Sequence, residues 1–290
     1  MNLLKQILRN TALYKPARKI YRKLKNVPRH PLQNIATAEE LNLIYLGTEY
    51  GGWAFIDDGD LNGCTIISAG LGEDASFDVE FAQRYNARII VVDPTPRAIE
   101  HFNAIIDHVG SPSTCDYSEG GKQPIAAYDL SGVNSASLTL VEKALWNEST
   151  TLRFFEPANP EHVSHSILNY QNSYSETTSC IEVQAITLLE LLADLGLEPD
   201  DIQLIKLDIE GAEIEVLTQS LAEGFRPKQV LVEFDELNVP SSKGFERVSQ
   251  VHQLLESAGY QVVRTDGQAD FLYVRVQTET ESDDRRTGRK

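Results

Sequence analysis

Three short stretches combine residue types that do chemistry. The first is Ser68-Ala69-Gly70-Leu71-Gly72-Glu73-Asp74. Glycines at 70 and 72 let a chain turn sharply between a strand and a helix and bring its backbone close to a ligand. The second is Val91-Val92-Asp93-Pro94-Thr95, with Asp93 standing 23 residues after Gly70. In nucleotide-binding α/β folds a carboxylate at about that distance meets a ribose diol. Together the two stretches point to an adenosine-containing cofactor, although a glycine turn alone is equally a tight connection. A dinucleotide site prefers a third glycine further on, where this chain has Ala75 or Ser76. Glu73 and Asp74 would repel a pyrophosphate, but they suit a ligand carrying an ammonium and a sulfonium.

The third stretch is Leu204-Ile205-Lys206-Leu207-Asp208-Ile209-Glu210-Gly211-Ala212-Glu213. It runs from an apolar strand into a helix and places Asp208 at the strand's carboxyl end, where ligands bind in such folds. Glu210 and Glu213 are also favoured there simply as acids in a helix's first turn. A polar loop at 157–180 adds His162 and Ser164-His165-Ser166. His165 titrates near neutrality and is a candidate base for an acceptor hydroxyl, or else a solvated loop residue. Glu49, Tyr50 and Trp53 either close over a ligand or pack in the core.

The third stretch resembles the hallmark of the FkbM-type methyltransferase family, a branch of the class I S-adenosylmethionine-dependent enzymes. Other segments are similar to the family in the same order: residues 66–78, 91–96, Lys143-Ala144-Leu145-Trp146, 186–192 and 230–233. Leu189 departs from the pattern, since the family usually has Asp there. The resemblance covers about residues 45–275. It implies S-adenosyl-L-methionine as cofactor and O-methylation of a sugar, glycan or small natural product. It implies cofactor contacts from Ser68, Gly70, Gly72, Glu73, Asp74, Asp93, Thr95, Ala144 and Asp208. Asp208 and His165 are the catalytic candidates, and no metal site is expected. Two other classes stay open: a nicotinamide-dependent oxidoreductase, disfavoured by the missing glycine, and a catalytically silent cofactor-binding or scaffold module.

The elements that must position these residues follow from periodicity. Strands are expected at 65–68, 88–92, 137–141, 204–207 and 229–234, and a hairpin arm at 152–155. Helices are expected at 74–85, 96–106, 188–195, 212–221 and 245–257, with Asn86 and Gly259 as stops. Residues 260–263 and 271–274 read as a closing antiparallel pair. The alternation predicts an α/β fold: a doubly wound, mostly parallel Rossmann-like sheet.

Charge divides the chain. Nine of its 26 basic residues and none of its 43 acidic ones fall within residues 1–38. Residues 1–40 therefore read as a basic, helical leader, 41–276 as the catalytic domain, and 277–290 as a disordered charged tail. The acidic body argues against nucleic acid as a partner. The leader suits an acidic partner or an anionic membrane surface, reached through residues 1–30, or plain docking onto the domain. Three scattered cysteines, no signal peptide and no long apolar run predict a cytoplasmic protein.

Overall fold

The computed structural model describes residues 30–32, 35, 37, 42–155, 180–238 and 241–276. Residues 1–29 of the basic leader, the charged tail and the loop bearing His162 and His165 lie outside the described residues.

The central sheet has seven strands. In chain order they are β3 (Thr65–Ala69), β4 (Arg88–Val92), β5 (Leu138–Val141), β9 (Ile202–Leu207), β10 (Gln229–Glu233), β11 (Tyr260–Thr265) and β12 (Asp270–Arg275). In space the order is β11-β12-β10-β9-β3-β4-β5. The five strands from β10 to β5 are parallel, and β12 and β11 add an antiparallel edge. The order reverses between β3 and β9, where doubly wound sheets leave a crevice at the strands' carboxyl ends.

The parallel strands are near-continuous apolar runs because both faces are covered. Successive side chains point to opposite faces. Ile67, Ile90, Ile205 and Val232 therefore join one core, and Ile66, Ile89, Leu204 and Leu231 join the other. The second core receives Phe77 and Phe81 from α1 (Ser76–Tyr85) and Phe102 from α2 (Pro96–Ile106). The first receives α3 (Leu188–Asp194), α4 (Glu213–Ala222) and α6 (Ser242–Ser257). A four-residue α5 (Asp235–Asn238) follows β10 directly.

Local signals explain the boundaries. α1 stops at Asn86, which takes a left-handed φ of 47°, a conformation asparagine tolerates well. α2 begins at Pro96, whose fixed φ and missing N–H suit a first helical turn. α3 is opened by a capping box between Thr187 and Glu190. The departure at Leu189 leaves that start intact, because the leucine packs on the core and Glu190 completes the cap.

Two features differ from expectation. A hairpin of β1 (Leu43–Leu46) and β2 (Trp53–Ile56) precedes the first expected strand, where periodicity predicted no element. The predicted arm at 152–155 is β7 (Thr151–Phe155), and its partner is β8 (Cys180–Ile186), which begins where a loop was expected to end. With β6 (Ala144–Leu145) these form a separate three-stranded sheet. Alternating burial along β8 is what a strand with one solvated face shows.

Candidate functional site

The carboxyl ends of β3, β4, β9 and β10 open into a cavity of about 500 Å³. Its wall carries Gly70, Gly72, Glu73, Asp74, Asp93, Thr95, Ala144 and Asp208, residues expected at 66–78, 91–96, 143–146 and 204–213. Four segments far apart in sequence thus meet at the switch point of the sheet. Ser68 is the correction. It is fully buried and faces the α1 side of the sheet beside Asp78, because side chains alternate along β3. Trp53 is core, packed behind the hairpin. Tyr50 is 66% exposed and reaches the cavity wall from the β1–β2 turn. Its ring lies on Gly121, where a Cβ would stand 2.3 Å from the ring edge.

The glycine turn is held from three directions. Gly70 has φ +87°, and a Cβ there would sit 1.8 Å from the backbone oxygen of Asp208. Asp93 accepts hydrogen bonds at Oδ2 from the N–H groups of Leu71 (2.9 Å) and Gly72 (3.1 Å). Its Oδ1 accepts from the N–H of Thr95 (2.9 Å) and the hydroxyl of Thr95 (2.6 Å). A carboxylate offers about four acceptor positions, so Asp93 is first of all the clasp joining the ends of β3 and β4. Lys206 supplies the third hold. It is the one charged residue of β9, is buried, pairs with Ser68 across the ladder and donates to the Gly70 carbonyl.

Glu73 and Asp74 are equally engaged. Glu73 pairs with Arg97 and, at 3.0 Å, with Lys122. Asp74 accepts from the Ser76 N–H at Oδ1, and from Thr48 and Gln123 at Oδ2. Behind the turn, the Ala75 N–H donates to the Tyr128 hydroxyl, which lies 2.8 Å from His101 Nε2. Burial holds that imidazole below its ordinary proton affinity.

The turn after β9 is built differently. Glu210 has φ +54°, a left-handed conformation rarely taken by a glutamate. Glu213, fully buried, accepts from the N–H groups of Ile209 (2.8 Å) and Gly211 (3.0 Å). Burial, then the nearby Glu236, pushes its carboxyl well above the usual range. Glu213 is thus a brace for the loop that carries Asp208. The hallmark's lysine and last glutamate both prove to position the turns, one under each.

Carboxylates dominate the remaining wall: Asp208, Glu210, Glu233, Asp266 and Asp270, with Lys206 as the one lining lysine among the described residues. Glu233 closes the 230–233 segment that resembles the family, but the sequence assigned it no role, and Asp270 was not singled out. Burial, followed by Asp208 and Asp270, raises the proton affinity of Glu233 well above that of an ordinary glutamate. Burial, then Asp266 and Asp208, raises Asp270 to about 7.

A model of the methyltransferase FkbM domain matches residues 24–262 of the chain. Curated proteins return no match. Among solved structures, the precorrin-6y C5,15-methyltransferase of Geobacter metallireducens GS-15 aligns at 11% identity and TM-score 0.36, over 84% of this chain and 95% of that one. The S-adenosylmethionine-dependent methyltransferase SibL aligns at 12% identity and TM-score 0.30, over 76% of this chain and 53% of its own length. TYW2 of M. jannaschii, in complex with AdoMet, aligns at 9% identity and TM-score 0.30, over 82% and 89%.

Proposed function

Because the chain belongs to the FkbM methyltransferase family, it is a methyltransferase, and we propose that it moves the methyl group of S-adenosyl-L-methionine onto a hydroxyl oxygen of a saccharide or small natural product. The observation that carries the reading is the wall of the cavity: two braced turns converge there, and among the described residues its charged groups are almost all carboxylates. That donor set fits a cofactor with two cationic centres and disfavours a pyrophosphate. A volume of about 500 Å³ suits a ligand of nucleoside size with an acceptor beside it.

In this reading Gly70 and Gly72 let the backbone approach the methionyl part, and Glu73 and Asp74 attract its ammonium. Asp93 meets the ribose by exchanging the Thr95 hydroxyl for a ribose hydroxyl. Ala144 flanks the adenine, and Asp208 lies beside the sulfonium. When bound, the cofactor supplies a methyl carbon on a positively charged sulfur. The chain's own work is to align the acceptor oxygen with that carbon and keep water out. Tyr50, stacked on Gly121 at the mouth, is placed to cover it.

Calorimetric titration of S-adenosylhomocysteine into the wild type and Asp93→Ala tests the cofactor. The variant is expected to bind at least about tenfold more weakly, the scale of one hydrogen bond to a charged group. Equal affinity would remove Asp93 from the site, and no binding by the wild type would remove the cofactor. Transfer of a labelled methyl to a panel of saccharides then tests the acceptor class, and labelling confined to amines or thiols overturns O-methylation.

A further inference from the structure

O-methylation leaves one proton to be placed. A hydroxyl attacking a methyl carbon loses its proton to a group within reach, and the described wall has a carboxyl suited to take it. Glu233 ends β10, between two strands that bring carboxylates to the same edge. In the parallel ladder Val232 pairs with Leu207, which sets Glu233 beside Asp208. In the antiparallel ladder Glu233 stands directly opposite Asp270. Opposed residues of an antiparallel pair hold their Cβ atoms about 4.5–5.5 Å apart, so three carboxyls crowd one side of the cavity. Asn238 of α5 donates a 2.6 Å hydrogen bond to Glu233 Oε1 and orients the group.

Building on the methyltransferase reading, we propose that Glu233 is the catalytic base for the acceptor hydroxyl, and that the cofactor's positive charge is what readies its carboxylate. In the transfer the acceptor's O–H bond breaks and its proton passes to Glu233. The oxygen forms its bond to the methyl carbon, and the electron pair of the broken S–C bond stays on sulfur.

The surroundings of Glu233 support both halves. Asp208 and Glu210 face it from the turn after β9, Asp270 from β12, Asn238 from α5 and Tyr50 from the hairpin turn. Asp266 adds its charge through Asp270. Lys206 is turned to the Gly70 carbonyl. Crowded carboxyls cannot all ionise, so near neutral pH the group retains a proton. A cation placed beside them favours the ionised form and expels it. Once the methyl has left, the sulfur is neutral, the former proton affinity returns, and Glu233 keeps the proton it received.

The test counts protons. The full chain is titrated at pH 7.5 with S-adenosylmethionine and with S-adenosylhomocysteine, in buffers of different ionisation enthalpy. The two ligands differ by the methyl and its charge. The wild type is expected to release roughly half a proton or more in excess with the sulfonium ligand. In Glu233→Gln that excess should vanish while S-adenosylhomocysteine still binds. Asp270→Asn, which relieves the crowding around Glu233, should reduce the excess and serves if the glutamine variant does not fold. Equal proton counts for the two ligands in the wild type overturn the proposal, as does an undiminished excess in Glu233→Gln. Failure of either ligand to bind the wild type instead removes the cofactor reading, and the proposal with it.

Discussion

The two sides of the cavity use the same residue type in opposite ways. On the β3–β4 side, Glu73, Asp74 and Asp93 all have protein partners: two cations for Glu73, and backbone N–H groups, hydroxyls and the Gln123 amide for the others. On the β9–β10–β12 side, Asp208, Glu233 and Asp270 face one another across the strand ends, and Asn238 is the neutral donor among them. A carboxylate with its lone pairs filled fixes a backbone and costs little to keep charged. A carboxyl crowded by others changes its protonation whenever a charge arrives. One side of the cavity is a mould, and the other responds to what enters it.

The largest effect should come from breaking the mould. Gly70→Ala forces a Cβ to within 1.8 Å of the Asp208 backbone oxygen, at a φ of +87° that alanine resists. Overpacking and left-handed strain together cost on the order of 3 kcal/mol or more. The expected outcome is a large fall in melting temperature and loss of S-adenosylhomocysteine binding. Because the clash is between the two turns, it disturbs both sides of the cavity at once. A folded variant that binds normally would show that the turns move apart easily, and that the mould is not rigid.

A smaller effect separates the responsive side by pH. Glu236 is raised to about 7 and Asp270 to about 7, mainly by burial, while Glu213 and Glu233 are raised as well. A carboxyl whose proton affinity is higher in the folded chain stabilises the fold while it is protonated. That contribution is complete below the unfolded values of 4.5 for Glu and 3.8 for Asp, and is lost as pH rises through the folded ones. The ligand-free protein should therefore melt at progressively lower temperature between pH 5 and pH 8. Asp270→Asn should flatten that slope. A melting temperature that rises over the same interval would contradict the assignment.

The difference between the sides also marks how far the sequence could be read. The mould is local: Gly70, Gly72 and the following acids lie within seven residues, and Asp93 directly follows the next strand. β4 and α2 were legible to the residue because apolar runs and Pro96 mark them sharply. The responsive side comes from β9, β10 and β12, and only strand order and register bring Glu233 opposite Asp270. The β1–β2 hairpin was hidden because its turn is a Gly-rich aromatic run with no clean alternation. Ser68 looked like a ligand contact because it adjoins Gly70, yet it is fully buried beneath the turn, beside Asp78. Lys206 carried a readable signal, a single charge in a buried strand, whose use as a brace for Gly70 needed the fold.

The finest test concerns Glu210, where the responsive side holds strain of its own. Its φ of +54° lies in a region that costs a non-glycine residue roughly 1–2 kcal/mol. Glycine removes that strain but adds about 0.5–1 kcal/mol of unfolded-state freedom. It also deletes one of the charges that raise Glu233. The first two terms leave Glu210→Gly at least as stable as the wild type, by up to about 1.5 kcal/mol. The excess proton release with the sulfonium ligand should become slightly smaller. If the variant is instead destabilised, the contacts of the Glu210 side chain outweigh its strain. This turn would then be braced as firmly as the glycine turn, and the contrast between the two sides would rest on Glu233 and Asp270 alone.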